Sequence, residues 1–219
     1  MSTAPDTLLA AIRARDALTV RAMLEADSSL FASSGLGGES LVLYARYVGA
    51  GDLATMLLGN RPLAAHEAAA LGEVAALRNA LDADADAINR HSTDGWTPLH
   101  LAGFFGHEVI AEALIARGAQ LDLLSTNSTR NTALHAALAG ATNAGLVKRL
   151  VDAGANVTAR GETGITPLHL AASRGDAAIC ELLIAQGADI DARMDDGTTP
   201  AQLASTRGFV ELSRQLTLV

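Results

Sequence analysis

Apolar positions in this chain recur in short runs with helical spacing. Leu99 and Ala102 fall on one face of a first segment, and Ile110 and Leu114 fall on one face of the next. Gly106 separates the two segments, and glycine is favoured just past the end of a helix. This pattern predicts pairs of short antiparallel helices.

One six-residue motif, Thr-Pro-Leu-His-x-Ala with variations, recurs in the second half of the chain. Its copies occupy residues 97–102, 132–137, 166–171 and 199–204, at intervals of 35, 34 and 33 residues. Threonine suits the N-cap of a helix and proline suits its first turn. The motif and its period resemble the ankyrin repeat. The resemblance implies an all-α solenoid of antiparallel helix pairs with short β-hairpin loops.

The first half of the chain is more diverged, and its units are aligned by their helix pattern. His66 lies 34 residues before His100, and residues 77–84 echo residues 20–27. The interval from Ser40 to Leu63 is short, so we expect that link to lack a protruding loop. We predict one domain of about seven repeats. Their ranges are 3–37 (an N-terminal cap), 38–60, 61–93, 94–128, 129–162, 163–195 and 196–219 (a C-terminal cap). Polar Ser213, Gln215 and Thr217 stand in the last unit where its predecessor has Cys180, Leu182 and Ile184.

Composition and charge limit the classes of function that this chain could have. Hydrophobic residues make up 49% of the chain and charged residues 18%, which suits a globular core. The formal net charge is −8 and Lys148 is the only lysine, so we expect no nucleic-acid partner. The chain shows no signal-peptide pattern and no apolar run long enough to cross a bilayer. We therefore expect a cytoplasmic monomer without a membrane partner. The Ala- and Arg-rich composition suggests a bacterial source.

The residues that could carry chemistry are better explained by the repeat. His66, His100, His135 and His169 are assigned to one repeat position, so their rings should lie about 10 Å apart, too far to share a metal. We expect each ring to bond to backbone or to the threonine three residues earlier. His91 and His107 fall in loops, where we expect solvated side chains.

Two other features could indicate a calcium site or a reactive cysteine, but neither interpretation holds. Residues 82–86 alternate aspartate and alanine like the start of a calcium loop, but Ala87 and Thr93 replace the glycine and glutamate that such a loop needs. Cys180, the sole cysteine, aligns with apolar Ala111 and is expected to be buried and inert. We expect no catalytic residues, no cofactor and no metal.

Binding residues should occupy the positions that the repeat leaves free to vary. In ankyrin-like proteins these are the loop residue before the threonine and the two residues before the helix-ending glycine, which line the concave side. Carried onto this chain, the resemblance gives these partner-binding candidates: Tyr47, Val48, Leu71, Trp96, Phe104, Phe105, Asn131, Ile165, Arg174 and Arg207.

Aromatic residues are rare in this chain, at seven in total, and four of them fall on these candidate positions, which we expect to be exposed. Such residues carry much of the energy of protein interfaces. The alternative is that Trp96 folds over Phe104 or Phe105 and only shields its own repeat. The leading hypothesis is a non-catalytic protein-interaction module, with another protein as its partner. Alternatives are an accessory or inhibitory subunit of an enzyme, a structural scaffold and, least favoured, a hydrolase or transferase.

Overall fold

The computed structural model describes residues 3–141 and 143–217, and these form fourteen α-helices in seven consecutive pairs. The helices are α1 (Ala4–Arg13), α2 (Ala17–Ala26), α3 (Leu41–Tyr47), α4 (Ala54–Leu58), α5 (Ala65–Leu71), α6 (Val74–Ala83), α7 (Pro98–Phe105), α8 (Glu108–Ala116), α9 (Ala133–Ala139), α10 (Ala144–Asp152), α11 (Pro167–Ser173), α12 (Ala177–Ala185), α13 (Pro200–Thr206) and α14 (Val210–Gln215). None of these helices is long and apolar enough to cross a membrane. The predicted all-α repeat solenoid is confirmed.

The helices form two layers. From α3 to α13, the first helix of each pair packs on the first helices beside it, and from α6 to α12 the second helices do the same. Small residues allow the close approach in the first layer. A Cβ atom on Gly103 would lie 2.8 Å from the carbonyl oxygen of Ala133, so only glycine fits between α7 and α9.

The repeated motif begins its helices as predicted. Thr97, Thr132, Thr166 and Thr199 are the N-caps of α7, α9, α11 and α13, and each side-chain oxygen accepts a bond from the backbone N–H three residues later. Proline follows the cap in three of the four, where it loses no helical hydrogen bond.

The loops between pairs are tight turns held by a few backbone bonds. The N–H of Ser92 donates to the carbonyl of Trp96 at 2.8 Å, and the N–H of Gly161 donates to that of Ile165 at 2.8 Å. Neighbouring loops are also joined, since the N–H of Thr126 donates to the carbonyl of Gly95 at 3.0 Å. The link from Gly59 to Ala64 shows no such closing bond within the described residues, in line with its short interval.

The buried side chains form two clusters. One is built mainly from α1 to α4 and includes Leu8, Ile12 and Leu57. The other extends from α5 to α14, with Leu43 of α3, and includes Leu77, Leu134 and Leu183. Leu63 borders both clusters, and Leu71 borders the first. The hydrophobic core is thus divided between the second and third helix pairs.

Candidate functional site

The turn between the two helices of a pair fixes the register of the candidate binding residues. In six of the seven pairs, a residue with positive φ ends the first helix, and the next N–H donates to an alanine carbonyl at 2.7–3.2 Å. These positive-φ residues are Arg15, Gly49, Gly72, Gly106, Gly175 and Gly208. The bond closes the helix end in the same way each time. The two residues before the turn are therefore equivalent: Arg13 and Ala14, Tyr47 and Val48, Ala70 and Leu71, Phe104 and Phe105, Ser173 and Arg174, and Thr206 and Arg207.

The fifth pair departs from this register. The N–H of Ala141 donates to the carbonyl of Phe104 at 2.9 Å, so the longer turn folds back onto the fourth pair. A Cβ atom on Gly140 would overlap that same carbonyl oxygen. Gly140 therefore packs against the neighbouring backbone and offers no side chain to a partner.

Four aromatic rings form one continuous row across these turns. Ring centroids lie 5.7 Å apart for Tyr47 and Phe105, 5.1 Å apart for Phe105 and Phe104, and 6.4 Å apart for Phe104 and Trp96. We call these four residues the aromatic surface. All four are half-buried, so the expectation that they are exposed was wrong, because each ring covers part of the next. The local contact of Trp96 with Phe104 is present, and it is one link in a longer row.

Tyr47 reaches the fourth pair because the third pair offers no bulk between them. Ala70 takes the equivalent position on α5 and is fully buried. The hydroxyl of Tyr47 crosses it and donates to Oδ2 of Asp94 at 2.6 Å. Burial is the main cause that raises the pKa of Tyr47, and the hydrogen bond to Asp94 raises it further, so the phenol stays protonated.

Arg46 contacts the same row of rings. Its Nε donates to the carbonyl of Ala70 at 2.9 Å, and its guanidinium carbon lies 4.3 Å from the ring centre of Phe105. This is a cation–π distance. Nε2 of His107 also donates to the Ala70 carbonyl, at 3.0 Å, and burial lowers the pKa of His107.

The two loop histidines are bonded to neighbouring repeats, so the expectation that they are solvated was wrong. Besides the contact of His107, Nε2 of His91 donates to the carbonyl of Leu124 at 2.9 Å. Both rings are half-buried.

The repeated histidines are structural. Nδ1 of His100 lies 2.7 Å from the Thr97 hydroxyl, and its Nε2 donates to the carbonyl of Asn131 at 2.7 Å. His135 and His169 make the same two contacts with their own threonine and the next loop. Burial lowers the pKa of His100 and of His135 to about 4, so both rings are neutral near neutral pH. The predicted bonding to threonine and backbone is confirmed for these three.

His66 does not share this position. The third residue of α5, equivalent to His100, is Glu67, and His66 precedes it. His66 is half-buried, and its Nε2 donates to the carbonyl of Arg90 at 2.6 Å. The alignment by the histidine letter was therefore one residue out of register.

Glu67 bonds in several directions. Its carboxylate is buried and accepts from Arg61, from the hydroxyl of Ser40 at 2.6 Å and from the N–H of Ala64 at 2.9 Å. Burial raises its pKa, but these three donors together lower it further, so the net shift is downward. A glutamate three residues after the cap position is a capping signal that the sequence did offer.

The remaining candidates lie further along the stack. Val48 and Leu71 are half-buried, and the carbonyls of Asn131 and Ile165 accept from the repeated histidines. Oδ1 of Asn131 is buried with no hydrogen-bond partner among the described residues. Arg174 is exposed and donates to the carbonyl of Gly140 at 3.2 Å, and Arg207 is exposed.

Comparison with known families agrees with this geometry. The profile of the family described as ankyrin repeats (3 copies) matches residues 41–161 and 138–217. The chain belongs to the ankyrin-repeat family. Ankyrin repeats are in general protein–protein interaction modules.

One curated relative is similar over a short stretch of this ankyrin-repeat chain. Oxysterol-binding protein-related protein 1 of Mus musculus is 46% identical over 44 residues, which is 20% of this chain and 5% of that protein. The match thus spans about a twentieth of the relative's length.

The cysteine and the aspartates that were considered as chemical candidates lie in separate parts of the ankyrin repeats. Burial raises the pKa of the Cys180 thiol to about 12, and the residue is 1% exposed, as expected for an inert cysteine. The aspartates at the end of α6 pair with arginines, Asp84 with Arg90 and Asp82 with Arg117. Within residues 3–141 and 143–217, no three His, Cys, Asp or Glu side chains are grouped as a metal site requires.

Proposed function

We propose that this ankyrin-repeat chain is a non-catalytic interaction module that binds another protein through the aromatic surface. The observation that carries the proposal is the continuous row of Tyr47, Phe105, Phe104 and Trp96 across three helix pairs. The rings are held in place by one another and by Arg46, yet each keeps part of its area in solvent.

A fixed aromatic row suits binding for an energetic reason. Partly exposed rings gain from further burial, and rings already held by neighbours lose little rotamer freedom when a partner covers them. Val48 lies beside Tyr47 in the second turn, and Leu71 lies on the third pair, between the second and the fourth. Asn131, Ile165, Arg174 and Arg207 extend the surface towards the last pairs. We take these positions to line the concave side of the solenoid. We further propose a cytoplasmic, monomeric protein from a bacterial source that binds neither nucleic acid nor membrane.

The test compares a double variant with a matched control. Trp96→Ala/Phe105→Ala truncates two rings of the aromatic surface, and Leu18→Ala/Phe31→Ala truncates two apolar side chains that are 82% and 37% exposed elsewhere. A partner recovered by affinity capture is purified and its binding to each variant is measured by calorimetry. We expect the first variant to lose at least about tenfold in affinity and the control to bind like wild type. Equal binding by all three proteins would refute the proposal.

Two further measurements complete the test. Circular dichroism and thermal unfolding establish that both double variants are folded. The activity of the recovered partner, assayed with and without this chain, then separates simple binding from inhibition of an enzyme.

A further inference from the structure

The basic side chains of this protein differ in whether they are paired with a carboxylate. Seven of them make ion pairs with carboxylates within the described residues, and these are Arg61, Arg90, Arg117, Lys148, Arg149, Arg160 and Arg214. They lie on the second helices or in the loops between pairs. None of them belongs to the turns that carry the aromatic surface.

The arginines in and next to those turns are unpaired, as are Arg21, Arg78, Arg130 and Arg193 elsewhere in the described residues. No carboxylate of the described residues lies within 4.0 Å of Arg13, Arg15 or Arg46. Arg13 donates to the hydroxyl of Tyr44 at 2.9 Å, and Nη2 of Arg15 lies 3.6 Å from where a Cβ on Gly49 would be. Three guanidinium groups thus flank the end of the aromatic surface formed by Tyr47.

Arg46 is the most constrained of the three. It is half-buried and stacked on Phe105, and within the described residues it donates a hydrogen bond only through Nε. Its two terminal amino groups are left to bind a ligand. A partly desolvated guanidinium without a counter-charge is unfavourable, and burial accordingly lowers the pKa of Arg46. A carboxylate is the group that its planar fork binds best.

Two further arginines without ion pairs lie on the side of the surface away from Tyr47. Arg174 and Arg207 take the equivalent turn positions in the sixth and seventh pairs, and both are exposed. Neither lies within ion-pair distance of a carboxylate of the described residues. The chain as a whole carries a formal net charge of −8, and each of these two turns presents an arginine without a paired carboxylate.

We propose that the partner segment bound at the aromatic surface is an acidic stretch of polypeptide. One of its carboxylates pairs with Arg46, others face Arg13 and Arg15, and its apolar side chains cover Tyr47 and Phe105. This inference rests on the proposed function and names the class of its partner. The net negative charge of the chain repels any anionic ligand, but it repels a nucleic acid, with a phosphate at every nucleotide, more strongly than a short peptide with a few carboxylates.

The experiment uses three short labelled peptides that differ in one residue type. The first alternates glutamate with leucine and tryptophan, the second has glutamine for each glutamate, and the third has lysine. Binding to the full chain is measured by fluorescence anisotropy at low and at physiological salt. We expect the glutamate peptide to bind roughly tenfold tighter than the glutamine peptide, with a preference that weakens as salt rises.

Arg46→Gln and Arg78→Gln are the matched variants, since Arg78 is an exposed arginine on α6, away from the turns. Arg46→Gln should remove most of the preference for glutamate, and Arg78→Gln should retain it. The inference is overturned if the glutamine or lysine peptide binds as tightly as the glutamate peptide, if none of the three binds, or if Arg46→Gln keeps the full preference.

A failure of this inference is distinguishable from a failure of the proposed function. If Trp96→Ala/Phe105→Ala still weakens binding of the recovered partner while Arg46→Gln does not, the aromatic surface remains the binding site and only the acidic class is wrong. If neither variant changes binding of that partner, the proposed function falls as well. Thermal unfolding of Arg46→Gln confirms that any loss is not a loss of fold.

Discussion

The last four helix pairs and the first three are joined to their neighbours by different means. From the fourth pair to the seventh, each junction uses the same bonds, in which a capping threonine holds a neutral histidine and that histidine donates to the next loop. Around the third pair, the junctions depend on individual side chains. Tyr47 reaches Asp94, Glu67 accepts from Ser40, and the Thr93 hydroxyl donates to the carbonyl of Gly38 at 2.8 Å.

This difference shows what a missing loop costs a solenoid. The link from Gly59 to Ala64 is too short to place a loop beside its neighbours, so the bonds that a loop would make are replaced by side chains from both sides. The core is divided at the same place. The aromatic surface spans this division, since Tyr47 lies before it and Trp96 lies after it. The aromatic surface therefore lies across the least regular junction in the stack.

The largest expected effect is the response of the regular half to acid. His100 and His135 have folded-state pKa values of about 4, against about 6.5 for an unfolded chain. Between pH 6.5 and 4 the unfolded chain binds protons that the folded chain does not, so the free energy of unfolding falls as pH falls through this window. The loss is at most about 3.4 kcal/mol for each histidine, and about 7 kcal/mol for the two together. It is checked by thermal unfolding at a series of pH values.

Glutamine is the appropriate replacement for this experiment. The seventh pair already has Gln202 where the fourth to sixth pairs have histidine, and its Oε1 accepts from the N–H of Thr199 at 2.9 Å. His135→Gln should therefore fold and should show a shallower fall in stability between pH 6.5 and 4. Identical pH profiles for wild type and variant would mean that the buried histidines are not what couples the regular half to pH.

The second prediction concerns the divided core. Ile12 and Leu134 are each fully buried, one in each cluster. Ile12→Ala and Leu134→Ala should each lower the free energy of unfolding by about 2–5 kcal/mol, because each leaves a cavity. Amide hydrogen exchange should show the loss of protection mainly in α1 to α4 for the first variant and mainly in α7 to α12 for the second.

The division of the core would be refuted by one pattern. If both variants lower protection equally along the whole chain, the two clusters unfold as a single cooperative unit. The side-chain bonds around the third pair would then be as strong as the regular junctions.

The regular half is also the half that could be predicted from sequence. The N-caps could be predicted from the recurring threonines, which are Thr97, Thr132, Thr166 and Thr199. The spacing from threonine to histidine then places the ring within reach of the hydroxyl. The burial of Cys180 follows from its alignment with the apolar Ala111. These predictions succeed because each depends on a local pattern that recurs at a fixed interval.

The site was less predictable, for physical reasons that differ from residue to residue. The position of Glu67 could have been predicted, because a glutamate three residues after the N-cap is a capping signal. Matching His66 to His100 gave a competing alignment that is shifted by one residue. The half-burial of Trp96 and Phe104 depends on how rings from separate turns meet. The contact of Tyr47 with Asp94 joins residues 47 positions apart and requires that Ala70 leave a gap. A motif does not record such non-local contacts.

The smallest expected effect tests one side-chain bond across the division. Tyr47→Phe keeps the ring on Phe105 and removes only the hydrogen bond to Asp94, so the free energy of unfolding should fall by about 1–2 kcal/mol. Tyr44→Phe is the matched control, since its hydroxyl accepts from Arg13 on the same side of the division. Hydrogen exchange in residues 92–96 should quicken for Tyr47→Phe and stay unchanged for Tyr44→Phe. If both variants quicken exchange there equally, the Tyr47 hydroxyl does not hold the two halves together, and the aromatic surface depends on ring packing alone.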